Sequence, residues 1–405
     1  MKKIYLSLLL VFTLTLNAST VIASTGTKIT LNHDLQITLI DSENDDLLVS
    51  LKELSSVDES FSKISDYLHR IDVNDDKKFK INNSNDGIFI YNISEFRENI
   101  NRVFPMIESG ANLYFYGEDS LIKLVLQHYD DEQTVTKNLK EIDTSLAENN
   151  PQYNLISFKD KKLVLNASIN VFDLEGTILE TPASSFVHSI LLNIKSSNES
   201  TVSPLNYGSD TIVWNPGDIV DSTYVVNASN QPILRGKLLS QMILFQNTRS
   251  DTDPNYDYFY LRNNVETTSY NSGLMKNAEA NHILPFPADQ LLSWGPSATT
   301  TSSLITVGLP WNVSWAFTVS PDTMKITNSG DSATKNIHWK LFKPGIFPFH
   351  NTEYTMPSPS RIQPGIAWSS AGSSLAGINV INKAKLEFGT STYTMQNSRN
   401  IRYNY

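Results

Sequence analysis

The chain of 405 residues contains no cysteine. It therefore forms no disulfide, and thiol catalysis and cysteine-ligated zinc or iron–sulfur centres are excluded. Charged residues are also few, at 18% of the chain. The remaining composition is rich in Asn, Ser and Thr, which favours strands and exposed loops over helices. A chain of this length can bury a sufficient core without disulfides.

Long apolar runs are scarce after the first residues. Met1-Lys2-Lys3 precedes an apolar run over residues 5–16 and small residues that end at Ala23. This pattern is typical of a secretory signal peptide over residues 1–24, with cleavage predicted after Ala23 or Ser24. No later segment reaches the 18 or so apolar residues of a membrane-spanning helix. We therefore expect an exported protein that is soluble at first.

The net charge of −10 is unevenly distributed along the chain. Residues 25–182 hold 28 Asp/Glu and 15 Lys/Arg, whereas residues 183–405 hold 14 and 15. This contrast predicts two domains, an acidic one over 25–182 and a nearly neutral one over 183–405. Residues 180–185, small and polar with a proline, are the predicted linker. Nucleic-acid binding would need a basic surface, so it is not expected.

The two parts differ in apolar periodicity. Helical patterns over 46–68 and 120–129 alternate with short apolar runs in the first part, which predicts a small α+β domain. After Phe186, short strand patterns recur between Gly, Pro, Asn and Ser turns with almost no convincing helix, which predicts an all-β sandwich. The strands predicted there are Ser189–Ile194, Tyr224–Asn227, Leu239–Phe245, Tyr258–Leu261, Ile337–Phe342, Ile366–Ser369, Ile378–Ile381 and Lys385–Phe388.

The segment from Ser303 to Ser320 predicts a β-hairpin with two different faces. It contains no charged residue, and a Pro310-Trp311-Asn312 turn separates its two arms. Successive strand side chains point to opposite faces, and apolar residues alternate here with small polar ones. The apolar face carries Ile305, Val307, Leu309, Val313, Trp315, Phe317 and Val319. The polar face carries Thr306, Gly308, Asn312, Ser314, Thr318 and Ser320.

Two interpretations fit this hairpin. It suits a strand pair with lipid on one face and a water-filled lumen on the other. Each arm has about 9 to 10 residues, around the minimum for a tilted transmembrane strand. It equally suits an ordinary sandwich hairpin whose apolar face covers a core. Periodicity alone does not separate the two interpretations.

An ordered series of segments resembles the leukocidin-like β-pore-forming toxins, and among them the vibrio-type cytolysins most. Residues 277–289 resemble the segment that leads into the family's stem, and residues 292–325 resemble the stem hairpin. Ile337-His-Trp-Lys340 resembles the strand that leaves the stem. Residues 358–367 resemble the return to the sandwich, and the last strand, Asn379–Phe388, fits the same scheme.

This resemblance implies an all-β cytolysin core, with a β-sandwich, a pre-stem hairpin at about 295–326 and a rim. A small α+β pro-domain, removed by proteolysis, would precede it. The implied function is that of a secreted pore-forming toxin, a cytolysin or haemolysin, which is not an enzyme and needs no cofactor or metal. Its partners would be the lipid bilayer of a target cell, further copies of itself in a ring such as a heptamer, and a glycan or sterol.

In the implied mechanism, each protomer inserts its hairpin into a shared transmembrane β-barrel. The apolar face of the hairpin would then contact lipid and the polar face would line the lumen. In the soluble monomer the same apolar face must be hidden, folded against the sandwich.

Residues 339–350 place aromatic side chains and two lysines in a segment broken by Pro and Gly. Aromatic rings favour the headgroup level of a membrane, and lysines favour its phosphates. By its position this segment corresponds to the family's rim, with Trp339 alternatively part of the core. The predicted headgroup contacts are Trp339, Lys340, Phe342, Lys343, Phe347 and Phe349.

The sequence departs from the family in its short stem, its Pro-Trp-Asn tip and its lack of a counterpart to the appended lectin domains. The alternative function is therefore a secreted, non-enzymatic carbohydrate-binding or adhesive β-sandwich, whose aromatics stack on sugars. No Gly-x-Ser-x-Gly, Gly-x-x-x-x-Gly-Lys-Ser/Thr or His-Glu-x-x-His motif supports an enzyme. A hydrolase would need acidic residues gathered in a cleft, which only a structure can reveal.

Overall fold

Ten segments of the chain are described by the computed structural model: residues 36–40, 47–62, 71–73, 87–133, 154–199, 210–247, 255–319, 324–345, 353–371 and 375–403. The predicted signal peptide lies outside these segments. The helices are α1 (Leu47–Val57), α2 (Glu59–Ser62), α3 (Val103–Glu108), α4 (Asp119–Gln133) and α5 (Ala183–Glu199). Short 3₁₀ turns occupy Ile93–Phe96 and Ile100–Arg102. No helix in the described segments is both long enough and apolar enough to span a membrane.

The N-terminal part contributes seven strands to one large sheet. They are β1 (Gln36–Ile40), β2 (Ile71–Val73), β3 (Gly87–Asn92), β4 (Asn112–Tyr116), β5 (Leu155–Lys159), β6 (Lys162–Phe172) and β7 (Ile178–Leu179). Strands β2, β1, β3 and β4 are parallel neighbours, and β5 and β6 continue the sheet in antiparallel pairs. The predicted helix over 120–129 lies within α4.

Aromatic packing holds this N-terminal part together. The rings of Tyr91, Phe96 and Phe115 lie 5.6 to 6.0 Å apart, and all three are buried under the apolar side of α4. Each large ring buried here contributes a few kcal/mol of apolar stabilisation, on the order of 2. Helices on a mostly parallel sheet explain the mixed periodicity of the sequence.

The large sheet continues into the C-terminal part. Its further strands are β8 (Thr211–Trp214), β9 (Asp218–Val226), β10 (Pro232–Asn247), β11 (Tyr256–Ser269), β13 (Gln290–Gly295), β19 (Ser360–Ile362) and β20 (Gly365–Ala371). The strand order is β13-β20-β11-β10-β9-β6-β5-β4-β3-β1-β2. Strand β13 therefore forms one edge of this sheet.

A second sheet packs on the C-terminal part of the first and completes a β-sandwich. Its strands are β12 (Leu274–Ile283), β16 (Lys325–Asn328), β17 (Asn336–Pro344), β18 (Glu353–Tyr354), β21 (Ala376–Phe388) and β22 (Ser391–Tyr403), in the order β16-β17-β12-β21-β22 with β18 beside β17. Strands β14 (Leu304–Gly308) and β15 (Ser314–Thr318) form a separate two-stranded sheet. The predicted β-sandwich is therefore confirmed.

The two sheets are joined by one apolar core and one buried polar cluster. Trp339, Trp368 and Phe259 are fully buried between them. Asn263 of β11 bonds His282 of β12 at 2.9 Å and exchanges amide hydrogen bonds of 2.8 and 3.1 Å with Asn382 of β21. Because buried polar groups need hydrogen-bond partners, this cluster holds the two sheets together and also fixes how they are aligned on each other.

Residues on both sides of the predicted boundary at residue 182 share the large sheet. Residues 165–172 of β6 run parallel to residues 218–225 of β9 in unbroken register. Helix α5 lies between these strands in sequence. It begins at Ala183, and Ser184 and Ser185 are buried, so the predicted linker is wrong from residue 183 onward. The chain from Leu35 onward forms one compact unit by its internal contacts.

The strand predicted over Ser189–Ile194 is also wrong, because these residues lie in α5. The buried apolar positions of this helix are Phe186, Val187, Ile190, Leu191 and Ile194. Their spacing of three and four residues is that of one helical face. Hydrophobicity alone does not tell whether a short apolar run is a buried strand or one face of a buried helix. Here a strand was predicted, but the run follows the helical period of about 3.6 residues. At the C-terminus, Ile378–Ile381 and Lys385–Phe388 belong to the single strand β21, and β22 follows it.

A buried polar network surrounds His188 on α5. Its Nδ1 lies 3.2 Å from the Tyr224 hydroxyl and 4.0 Å from the Asp58 carboxylate, and its Nε2 lies 3.4 Å from the Ser60 hydroxyl. Burial lowers the pKa of His188 to about 4, and the attraction of Asp58 opposes only part of this shift. His188 is therefore neutral in the folded protein at neutral pH.

This burial predicts a loss of stability in mild acid. The unfolded chain takes up a proton on His188 near pH 6.5, whereas the folded protein does so only near pH 4. The free energy of unfolding should therefore fall by about 1.4 kcal/mol per pH unit as the pH drops through this window. In urea unfolding between pH 7.5 and pH 4, His188→Gln should remove this part of the slope.

Asp221 provides a control with the opposite sign. Burial raises the pKa of Asp221 to about 6. The free energy of unfolding therefore gains a contribution from this carboxyl as the pH drops from about 6 toward 3.8. Asp221→Asn should therefore steepen the acid loss of stability. A slope that is unchanged in His188→Gln would show that this histidine does not control the acid response.

Candidate functional site

The predicted hairpin is present, and its two arms pair in a simple register. Leu304 lies opposite Thr318 and Val307 lies opposite Trp315. Backbone hydrogen bonds of 2.8 Å from Leu309 to Val313 and from Val319 to Ser303 extend the pairing at both ends. The paired segments are therefore residues 303–309 and 313–319. They are shorter than the arms of about 9 to 10 residues expected from the sequence.

The turn at the tip places two residues in the left-handed region. Trp311 has φ 64° and Asn312 has φ 62°. Asn tolerates this conformation, but a bulky side chain such as Trp incurs a strain of roughly 1 to 2 kcal/mol. The Trp311 ring packs edge-on against Tyr258 of β11, with 5.5 Å between the ring centroids. The tip is thus anchored on the sandwich by the side chain of its strained residue.

The burial of the hairpin follows the alternation predicted from the sequence. Its apolar face lies in the core of the sandwich, where Ile305, Val307, Leu309, Trp315, Phe317 and Val319 are buried and Val313, beside the turn, is half-buried. Its polar face is exposed at Thr306, Gly308, Asn312, Ser314 and Thr318. Ser320 lies outside the described residues. Whether the two faces meet lipid and lumen stays a prediction.

Two glycines of the large sheet make room for the hairpin. A side chain at Gly295 of β13 would lie 2.7 Å from Val307, and one at Gly365 of β20 would collide with the Trp315 ring. The Trp315 indole N–H donates a hydrogen bond of 2.9 Å to the Gln363 carbonyl. Sequence reasoning did not identify these positions. The available signal was glycine inside a strand, which often marks a close approach of another element.

The hairpin lies against the sandwich without joining either of its sheets. Within the described segments, β14 and β15 pair with each other and with no other strand. At the base, Thr300 and Ile326 exchange two backbone hydrogen bonds of 2.9 Å, which fasten the hairpin to the start of β16. Strand β13 is an edge of the first sheet and β16 an edge of the second. The hairpin is therefore the connection between the two edges.

The structure corrects the predicted headgroup contact of Trp339. This residue is fully buried, and its indole N–H donates to the Pro296 carbonyl at 2.8 Å. The alternation of β17 turns Trp339 toward the core together with Ile337 and Leu341, so a rim role for it is wrong. Phe342 and Lys343 are half-buried on the same strand. Phe347 and Phe349 lie outside the described residues.

Lys340, another predicted headgroup contact, is held in an ion-pair network. Its Nζ lies 3.1 Å from Glu279 and 2.5 Å from Glu353. Burial alone would lower the pKa of this amine, but the bonds to Glu353 and Glu279 outweigh it and hold the pKa above its usual value. Lys340 is therefore charged and already paired on the outer face of the second sheet.

The chemistry of the hairpin is that of an interface between apolar and aqueous surroundings. It carries no charged side chain, and its exposed face presents hydroxyl and amide groups together with the apolar side chains of Leu304 and Ala316. No cluster of His, Cys, Asp or Glu able to hold a metal occurs in the described part of the chain. The arrangement can bury or expose an apolar surface, and that is the property on which a function must be based.

Comparison with solved structures returns pore-forming proteins at low similarity. The chain is 9% identical to Clostridium perfringens delta-toxin, with a TM-score of 0.27 over 48% of this chain and 88% of that one. It is 8% identical to a structure described as a pore forming protein, with a TM-score of 0.26 over 48% and 94% of the two chains. No protein-family model matches, and no curated protein matches.

The close fit of Trp315 against Gly365 generates a prediction about hairpin docking. Gly365→Ala should force the Trp315 ring out of its place and destabilise the docked hairpin by roughly 1 to 3 kcal/mol, as overpacking does. Limited proteolysis of the hairpin and tryptophan fluorescence would both report the change. Gly308→Ala is the matched control, because nothing lies within 4 Å of a side chain there. Equal protease resistance of the two variants would contradict this packing.

Proposed function

We propose that this protein is a secreted pore-forming toxin that inserts the hairpin at residues 303–319 into a target membrane. The observation that carries the proposal is that the hairpin is buried by its apolar face and yet paired with neither sheet of the sandwich. It can leave the sandwich without breaking a β-ladder. An ordinary sandwich hairpin would instead continue one of the sheets.

The energetics of this release favour a membrane over water as its destination. Six buried side chains of the hairpin would lose their apolar surroundings, at about 1.5 to 3 kcal/mol each and roughly 9 to 18 kcal/mol together. This cost is comparable to the whole stability of a typical domain, about 5 to 15 kcal/mol, so the hairpin stays docked in water. Lipid tails restore apolar surroundings to the same side chains, which makes release dependent on a bilayer.

The backbone of the inserted hairpin sets a further requirement. Every backbone N–H and C=O group at membrane depth must be paired, which a single hairpin cannot achieve. Several protomers must each supply one hairpin to a closed barrel, and the assembly must be a ring of identical subunits. The exposed hydroxyl and amide groups of the hairpin would line the lumen, giving a neutral and weakly selective channel.

The length of the hairpin requires extension during insertion. Seven paired residues per arm fall short of the 9 to 11 residues of a tilted transmembrane strand. The flanking residues 297–302 are uncharged, and Asp322 and Lys325 are the first charged positions beyond the second arm. We therefore expect residues 297–302 and 320–324 to lengthen the arms once the two backbone hydrogen bonds between Thr300 and Ile326 break, with Asp322 and Lys325 at the membrane surface.

A disulfide lock tests the proposal directly, since the chain has no cysteine of its own. The Cβ position at Gly295 lies 3.3 Å from the Cβ of Val307, close to disulfide geometry. Oxidised Gly295→Cys/Val307→Cys should bind liposomes without releasing an enclosed dye, because the hairpin cannot leave β13. Reduction should restore dye release.

The control places a disulfide inside the hairpin. Thr306 and Ala316 lie directly opposite each other on its exposed face. Oxidised Thr306→Cys/Ala316→Cys joins the two arms but leaves them free to depart from the sandwich, so dye release should persist. Insertion of this hairpin would be refuted if Gly295→Cys/Val307→Cys released dye as fast in its oxidised form as in its reduced form.

We also propose that cleavage within the predicted pro-domain, at the turn between β5 and β6, activates the protein. The turn at residues 159–162 is exposed and lysine-rich, and Asp160 and Lys161 have φ values of 50° and 65°. Limited trypsin digestion should cut there and raise dye release from liposomes. Without liposomes the two fragments should co-elute in size-exclusion chromatography, because β5 and β6 stay paired across the cut. An unchanged rate of dye release after cleavage would contradict activation.

A further inference from the structure

A polar cavity of about 410 Å³ lies on the outer face of the second sheet. Its floor is formed by three neighbouring strands, on which Asn281 of β12 lies between His338 of β17 and Ile381 of β21. Glu279, two residues earlier on β12, lies beside Lys383 of β21. The β16–β17 turn forms a wall with Ser329, Asp331 and Thr334. The pore proposal makes no use of this site.

The wall of the cavity is held in place by its own hydrogen bonds. Asp331 and Asn336 exchange backbone hydrogen bonds of 3.0 and 3.3 Å. The Asp331 carboxylate accepts from the Ala333 N–H at 2.9 Å and from the Thr334 hydroxyl at 3.0 Å. Gly330 lets the turn approach the sheet, since a side chain there would lie 3.0 Å from Ile337. The site is thus preformed, which lowers the entropic cost of binding a ligand.

The floor of the cavity is also ordered by side-chain contacts. The Glu279 carboxylate lies 3.2 Å from His338 Nε2, and His338 Nδ1 lies 3.4 Å from the Ser329 hydroxyl. A neutral His338 therefore donates from Nε2 to Glu279 and accepts from Ser329. The His338 bond, together with Lys340, holds the pKa of the Glu279 carboxyl below its usual range in spite of burial. Backbone and hydroxyl donors likewise lower the pKa of Asp331.

These groups define the chemical class of a ligand. Two ionised carboxylates face one lysine, Lys383, so the lining disfavours a phosphate or another anion. Ile381 is the one apolar side chain of the lining, so an acyl chain or a sterol finds little apolar contact. Hydroxyl groups donate and accept at the same time, and they can pair with carboxylates, carboxamides and the ammonium group alike. The volume lies within the usual range of small-molecule sites, roughly 300 to 1,000 Å³.

We propose that this cavity binds a neutral sugar unit, such as one exposed on a cell-surface glycan. The carboxylates of Glu279 and Asp331 accept from its hydroxyl groups, and Lys383 donates to a ring or hydroxyl oxygen. Such a site gives the protein a means of selecting its target surface. Sugar binding and pore formation use different residues, so either can fail in experiment without the other.

Saturation-transfer NMR with the full chain tests this inference without any membrane. D-galactose, D-glucose and N-acetylgalactosamine are the neutral probes, and N-acetylneuraminic acid and glycerol 3-phosphate are the anionic ones. A signal from at least one neutral sugar is expected. Lys383→Ala and Glu279→Gln should each weaken it about tenfold or more, as the loss of a charged hydrogen-bond partner does.

Two exposed residues outside the cavity supply matched controls. Lys159→Ala and Glu175→Gln make the same chemical changes elsewhere and should leave the sugar signal unchanged, with thermal unfolding confirming the fold of all four variants. The inference would be overturned if none of the neutral sugars gave a signal, or if only the anions did. Retention of full sugar binding in both cavity variants would overturn it as well.

Discussion

Burial of the apolar face of the hairpin is the interaction on which the rest of this structure depends. The chain passes from the edge of one sheet at β13 to the edge of the other at β16 through this hairpin. Its apolar side chains belong to the same core as those of the two sheets. Without them the sandwich would expose a large apolar surface along one side, which proteins seldom do without a partner.

The hairpin and the sandwich are nevertheless held by different kinds of interaction. The sandwich is held by its own β-ladders and by the buried polar cluster, in which Asn263 forms hydrogen bonds with His282 and Asn382 across the two sheets. The hairpin depends on apolar contact, on the Trp315–Gln363 hydrogen bond and on the bridge at Thr300. Apolar contact can be exchanged for lipid at little cost, whereas a β-ladder cannot. This difference makes the hairpin the element best suited to move.

The outer face of the second sheet has the opposite character. Glu279, Lys340 and Glu353 form a charged network there, and the polar cavity lies at the side of that network. One molecule thus carries a hidden apolar element and a preformed polar site. The proposed membrane insertion would use the apolar element and the proposed sugar binding would use the polar site, and the two elements share no residue.

The sequence by itself determined the local pattern of this protein. The alternation from Ser303 to Val319 was sufficient to place each side chain on the correct face, because side chains on a strand alternate strictly. The short strands and frequent turns of residues 210–403 were sufficient to indicate a sandwich. The run at 189–194 misled, since its length did not separate a buried strand from one face of α5. For Trp339 the sequence left both a headgroup contact and a place in the core open, because proximity to lysines in sequence does not reveal which face of a strand is buried.

Only the tertiary structure decided what the hairpin rests on and what it is not bonded to. The fit of Val307 against Gly295 and of Trp315 against Gly365 joins residues far apart in the chain, and so does the pairing of β6 with β9 across the predicted boundary. The cavity is formed by three strands and a turn, and its lining residues are spread over more than 100 positions of the chain, from Glu279 to Lys383. Such contacts depend on which strands become neighbours, and that is settled by the packing of the whole chain instead of by any local pattern.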